Sequence, residues 1–123
     1  MSPAAQLPLT IVADDLTGAC DTGALFAARG PVPVTVWPDP PLRAPVSVVD
    51  TESRGLDPAD AARRVAGVAR NLARTRFFKK IDSTLRGPIG AELESIFYAR
   101  ARPPGRWCAR PCRPSIASSS SAC

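Results

Sequence analysis

Residues 77–92 read FFKKIDSTLRGPIGAE. The run opens apolar at Phe77 and Phe78, then sets Lys79, Lys80, Asp82, Ser83, Thr84 and Arg86 close together. Gly87, Pro88 and Gly90 follow, so the stretch predicts a strand that enters a tight turn and then a helix. In open α/β sheets, ligands bind where strands give way to helices. Lys80, Asp82, Ser83 and Arg86 offer a cation, a carboxylate, a hydroxyl and a guanidinium fork, a set suited to a small, oxygen-rich anion.

The same alternation runs back toward the N-terminus. Leu7–Ala13 (LPLTIVA) is apolar and rich in β-branched residues, the pattern of a buried parallel strand. The polar loop DDLTG (residues 14–18) leads into a helical stretch from Gly18 to Arg29, ended by Gly30-Pro31. Ala19, Cys20, Gly23, Ala24, Ala27 and Ala28 are its small residues for close packing on a sheet, with Cys20 expected to be buried. Val32–Trp37 is a second strand, in which Pro33 predicts an edge position or a late start. After the Pro-rich loop 38–45 comes a third strand, Val46–Asp50, and the loop TESRGL (51–56). Asp57-Pro58 has the chemistry of a helix start, an Asp cap before a Pro at the first helical position. Ala61, Ala62, Val65, Val68, Ala69 and Leu72 then recur at helical spacing as far as Thr75. Arg76–Ile81 is the fourth strand, and Pro88–Tyr98 is a third helix with Ile89, Leu93, Ile96 and Phe97 as its apolar stripe. The order β-α-β-β-α-β-α predicts an α/β domain with a mostly parallel sheet and helices on its faces. Three helices cover such a sheet only in part, so the domain is expected to be incomplete at its C-terminus and to belong to something larger.

Composition divides the chain in two. Of 123 residues, enough for one domain, the stretch 1–98 carries eleven Lys and Arg against eleven Asp and Glu. The formal net charge of +5 therefore lies entirely in 99–123, with Arg100, Arg102, Arg106, Arg110 and Arg113 and no acid. Three of the four cysteines, Cys108, Cys112 and Cys123, are in that tail too. Their spacing lacks the close pairs of a zinc module, and Pro, Arg and Ser enrichment points to disorder rather than to a nucleic-acid-binding fold. The chain has no histidine, which excludes Ser-His and Cys-His catalysis and any histidine metal site. The N-terminus lacks the basic and apolar regions of a signal peptide, and no run approaches the ~18–20 apolar residues that cross a bilayer. A cytoplasmic protein with no membrane partner is expected.

Each polar loop has a bland and a chemical reading. Asp14 and Asp15 could cap the following helix and complement its dipole, or face sugar hydroxyls, bind a cation, or serve as a base. Two adjacent acids exceed what capping requires. Gly18–Gly23 (GACDTG) has phosphate-loop glycine spacing, but Ala24 and Leu25 stand where that motif needs Lys and Ser or Thr, so a nucleotide site is rejected there. Arg54 could clamp a carboxylate with two parallel bonds, helped by Ser53 and Thr51, or merely pair with an aspartate for ~0–1 kcal/mol.

Three segments together, ADDLTGACDTGALFA (13–27), VVDTESRGL (48–56) and FKKIDSTLRGPIGAELE (78–94), resemble in order and spacing the N-terminal domain of the four-carbon acid sugar kinases. The resemblance covers roughly residues 7–96. It implies a Rossmann-like, three-layer α/β domain that holds a small sugar acid (threonate, erythronate or a 3-oxo-tetronate). A separate C-terminal domain would supply most of the site for ATP and Mg²⁺. By that likeness Asp14, Asp15 and Asp82 take catalytic positions, with one of the first pair as base. Ser53, Arg54, Lys80, Ser83 and Arg86 line the substrate, with Arg54 beside Ser53 approaching its carboxylate and Arg86 as a second carboxylate or phosphate clamp. The likeness ends near residue 98, where the chain turns to ARARPPGRWCARPCRPSIASSSSAC. Out-of-frame reading of GC-rich DNA gives such a composition; a genuine short variant with a disordered tail is the alternative. On either account residues 1–98 are the partial substrate-binding domain. The chain is expected to bind ATP and Mg²⁺ poorly and to lack kinase activity alone. A stand-alone binding module for hydroxy acids is the competing function.

Overall fold

The computed structural model describes residues 6–72 and 74–101. Four strands, β1 (Leu9–Ala13), β2 (Val34–Val36), β3 (Val46–Asp50) and β4 (Arg76–Lys80), form one sheet in the order β2-β3-β1-β4. All three neighbouring pairs are parallel, with Ile11 opposite both Val48 and Phe78. The helices are α1 (Leu16–Ala24), α2 (Pro58–Arg70) and α3 (Ile89–Ala101), with a 3₁₀ turn at Ala27–Arg29. The fold is α/β, as the element order predicts.

Strand alternation sorts side chains into two layers around the sheet. On one face Ile11, Ala13 and Val48 pack against Ala19 of α1. On the other Val12 and Val49 meet Val68 of α2, while Val65 and Ala69 of α2 meet Ile96 of α3. Phe77 joins these last two clusters. Burying each such Val or Ile contributes ~1.5–3 kcal/mol, which fixes β1 and β3 as the centre of the domain. Pro33 does mark an edge: β2 has β3 on one side and no strand on the other among the described residues.

Several expectations need correction. α1 ends at Ala24, and its packing face is Gly18, Ala19, Thr22 and Gly23. Gly23 lets α1 approach closely, since a Cβ there would lie 3.1 Å from Val48 Cγ2. Cys20 is exposed, because one step past Ala19 turns it ~100° away from the sheet. Ala24, Ala27 and Ala28 are exposed as well. α2 stops at Arg70, short of Thr75, with Asn71 as its C-cap. On α3 the buried residues are Glu92 and Ile96, an i,i+4 pair, while Phe97 is 73% exposed. α3 also runs through Ala101, past the composition break at residue 98. The expected disorder of the tail, and Trp107, Cys108 and Cys112 with it, lie outside the described residues.

Connections diverge at β1. From it the chain crosses to β2 on one side, and after β3 it returns to β4 on the other. The carboxyl ends of β1 and β4 therefore flank the switch point where such sheets hold ligands.

Candidate functional site

Three loops leave the carboxyl ends of β1, β3 and β4 and meet over Arg54. Its Nε donates to Asp14 Oδ2 at 3.1 Å and its Nη2 to Asp14 Oδ1 at 3.0 Å, a two-pronged pair. Nη1 donates to Asp15 Oδ2 at 3.1 Å, and Nη2 lies 3.0 Å from Asp15 Oδ1 and 3.5 Å from Asp82 Oδ1. Asp14 above all, with Asp15 and Asp82, raises the guanidinium pKa further. Main-chain bonds fix the approach: Ser53 N and Arg54 N both donate to the Asp14 carbonyl, at 3.1 and 3.2 Å.

Asp14 is buried, with both oxygens on Arg54. Asp15 fulfils both readings of the loop. Its Oδ1 caps α1 by accepting from Gly18 N at 3.0 Å, and its carboxylate also faces Arg54. Gly18 leaves room for this cap, since a Cβ there would sit 2.7 Å from Asp15 Oδ1. Of the two acids Asp15 is the more open, its side chain 27% exposed against 1% for Asp14.

Asp82 closes the loop after β4. Its Oδ2 accepts from Thr84 Oγ1 at 2.6 Å, Arg86 Nε at 2.7 Å and Arg86 N at 3.0 Å. Its Oδ1 accepts from Arg86 Nη2 at 3.2 Å. Arg86 first, then Thr84, with Arg54 adding, hold its carboxyl far below the usual carboxylate range. Both oxygens of Asp82 are thus engaged within its own loop. The loop touches Arg54 directly: Gly87, at φ 89°, has room for no Cβ without an approach of 3.3 Å to the Arg54 carbonyl oxygen.

The remaining predicted residues separate. Lys80 lies over α1, its Nζ 3.8 Å from where a Gly18 Cβ would stand. That Nζ donates to the Ile81 carbonyl at 2.5 Å, and among the described residues it has no carboxylate partner within 4.0 Å. Arg86 is turned to Asp82, yet its side chain is 65% exposed. Ser83 is exposed on the same loop. Ser53 is fully buried: its hydroxyl donates to Glu92 Oε1 and lies 2.7 Å from Thr51 Oγ1, so it is engaged with the interior.

Three buried groups were missed. Lys79 Nζ and Glu92 Oε2 form an ion pair at 3.1 Å between β4 and α3, with both side chains almost wholly buried. The signal was legible, since Lys79 shares a strand face with Phe77 and Glu92 sits one helical turn before Ile96. Asp50 ends β3 on the face of Val46 and Val48. Burial pushes its carboxyl up to about 7, with the carboxylates of Glu52 and Asp15 adding to the rise. No group of three or more Asp, Glu, Cys or His among the described residues is arranged to hold a metal ion. No helix among them is long and apolar enough to cross a membrane. A broad groove at the opposite end of the sheet, lined by Leu9, Phe26, Val46 and Leu72 among others, contains none of the predicted site residues.

Comparison with known proteins bears on this site. The family described as "Sugar-binding N-terminal domain" matches residues 9–114, a span that continues past residue 98. A D-erythronate kinase of Heliobacterium modesticaldum is 42% identical over 97 residues, covering 72% of this chain and 22% of the relative. A D-threonate kinase of Salmonella typhimurium is 37% identical over 103 residues, covering 78% and 24% respectively. A crystal structure from Bordetella bronchiseptica matches with a TM-score of 0.63 and 40% identity, covering 74% of this chain and 25% of that one. It is described as a domain of unknown function with bound citrate in a domain-swapped dimer. The chain thus spans about a quarter of the length of the curated relatives it matches.

Proposed function

This chain belongs to the sugar-binding N-terminal domain family, and on that premise we infer that it is the acceptor-holding part of a four-carbon acid sugar kinase. Its ligand in this reading is a small hydroxy acid such as threonate or erythronate. The observation that carries the reading is the Arg54 guanidinium, bracketed by Asp14, Asp15 and Asp82 at the ends of β1 and β4. Fixed carboxylates at a strand end are acceptors for the hydroxyls of a polyol acid. The citrate bound in the Bordetella structure is itself a hydroxy acid, which supports this ligand class.

The roles follow from what each group has left to offer. Asp15, the more open acid, accepts from a ligand hydroxyl and is the side chain suited to take the proton of the accepting one. Asp14 holds Arg54, and Arg54 in turn orders the two aspartates. With so much of its fork engaged, the clamp on the ligand carboxylate falls to Lys80, which has no carboxylate partner among the described residues, and to the exposed Arg86. Ser83 supplies a hydroxyl at the rim. Asp82 anchors its loop.

The relatives are kinases, enzymes that take their phosphoryl group from ATP. Phosphoryl transfer rests on positioning ATP and its Mg²⁺ against the acceptor. In this reading the donor side lies in the three quarters of the relatives that this chain does not span. The work assigned to this chain is binding, in a cytoplasmic enzyme of small-molecule metabolism.

Calorimetry with D-threonate and D-erythronate tests the reading. At least one acid should bind, while a neutral four-carbon polyol binds at least ~tenfold more weakly. Lys80→Ala and Asp15→Asn should each weaken the acid ~tenfold or more. Equal heats for acid and polyol would overturn the assignment. ATP turnover by this chain with threonate would overturn the division of labour.

A further inference from the structure

Beneath the loops lies a buried polar chain that the ligand-facing roles do not use. Lys79 Nζ meets Glu92 Oε2 at 3.1 Å, and Glu92 Oε1 accepts from Ser53 Oγ. Ser53 Oγ lies 2.7 Å from Thr51 Oγ1, which donates to the Ala13 carbonyl at 2.9 Å. Lys79 Nζ also donates to the carbonyl of Lys80 at 3.0 Å. One ion pair thus ties α3 to the carboxyl ends of β1 and β4 and to the loop that carries Arg54.

Burying two charges in this way is poor economy for stability alone. Apolar residues of similar size commonly serve as well or better, and where such pairs persist a role in fixing a unique arrangement is the hypothesis to test. Here the arrangement is identifiable. Ser53 is pinned from below by Glu92, and the next residue emerges at the surface as Arg54, bracketing Asp14 and Asp15. We propose that Lys79 and Glu92 are positioning residues: through Ser53 they set the direction of Arg54, and through the Lys80 carbonyl they set the end of β4. Neither touches a ligand. The device gives α3 a direct hold on the site, so a shift of that helix would move the Arg54 loop and the Lys80 strand end together.

The proposal rests on the site reading above, but its test needs no ligand. Nitrogen-edited NMR of the full chain follows the Arg54 Nε–H, which the bond to Asp14 protects in this arrangement. Ser53→Ala removes the link from the ion pair to the loop and leaves the pair intact. Lys79→Met/Glu92→Gln removes both charges together, so that neither is left buried alone. In each variant the Arg54 Nε–H should exchange ~tenfold faster, while the amides of Ile11 and Val48 in the sheet keep their protection within ~twofold. Unchanged Arg54 exchange in Ser53→Ala overturns the proposal, whether or not the double variant folds. Equal loss of protection at Arg54 and in the sheet overturns it also, since that marks general loosening. Failure of the wild-type chain to bind any four-carbon acid would sink the ligand assignment and leave this result standing.

Discussion

Asp50 is the residue whose chemistry is most at odds with its place. Its Oδ1 accepts from Glu52 N at 2.9 Å and steadies Glu52 at φ 47°, while its Oδ2 is buried without a hydrogen-bond partner among the described residues. With its carboxyl raised to about 7 from the ordinary 3.8, the folded chain holds a proton that the unfolded chain releases. The sign follows: this contribution to stability is fully present below about pH 4 and is lost as pH rises through about 7. Asp50→Asn keeps the acceptor and cannot ionise, so it should gain stability relative to wild type at about pH 8 and show little gain at about pH 4. Urea denaturation at the two pH values reads this directly, and an equal effect at both would contradict it. Gly87 is the second residue of consequence, at φ 89° and against the Arg54 backbone. Gly87→Ala should cost roughly 1–2 kcal/mol from the left-handed backbone alone. It should also push the 82–88 loop off Arg54, so that threonate affinity falls in calorimetry as well.

Elements succeed or fail here by caps and faces. α2 begins where Asp57-Pro58 says it should, with Asp57 Oδ2 accepting from Ala59 N and Asp60 N at 3.1 and 3.3 Å. Asp57→Ala should therefore lose about 1 kcal/mol, seen as a lower thermal midpoint. α3 is the opposite case. Spacing puts Ile89, Leu93, Ile96 and Phe97 on one stripe, whereas the packed face is Glu92 and Ile96. Ile96→Ala should cost ~2–5 kcal/mol and Phe97→Ser less than ~0.5 kcal/mol, a contrast that a single denaturant series would resolve. The stripe misled because an acid on the inner face breaks an apolar count. Lys79 across the gap, with the Ser53 hydroxyl on its other oxygen, makes that acid tolerable. Cys20 and Ala24 misled differently: small size permits burial, but rotation about the helix axis decides it.

At the scale of the molecule, four parallel strands are sandwiched by α1 on one face and α2 with α3 on the other. Phe78, on the α1 face of β4, which is an outer strand among the described residues, remains 45% exposed. A ligand that binds only the folded chain must stabilise it. Saturation with threonate at ~100 times its dissociation constant should add ~2.7 kcal/mol, read as a rise in thermal midpoint. No rise at that concentration would remove threonate as the ligand. Much of this architecture was legible in the chain, because strand and helix periods, the Pro33 edge mark and the Asp57 cap are local and each acts within a few residues. The loops after β1, β3 and β4 were legible as polar clusters at strand ends, and their meeting follows from the parallel sheet. Sequence by itself therefore determined the element order, the α/β class and the rim on which Asp14, Asp15, Arg54, Lys80, Asp82 and Arg86 collect. The tertiary structure alone decided which distant partners two of the loop residues take: Arg54 bracketed by Asp14 and Asp15, Ser53 turned inward to Glu92. Those outcomes depend on contacts between residues some forty positions apart, where desolvation and charge pairing override any preference a residue expresses in its own stretch of chain.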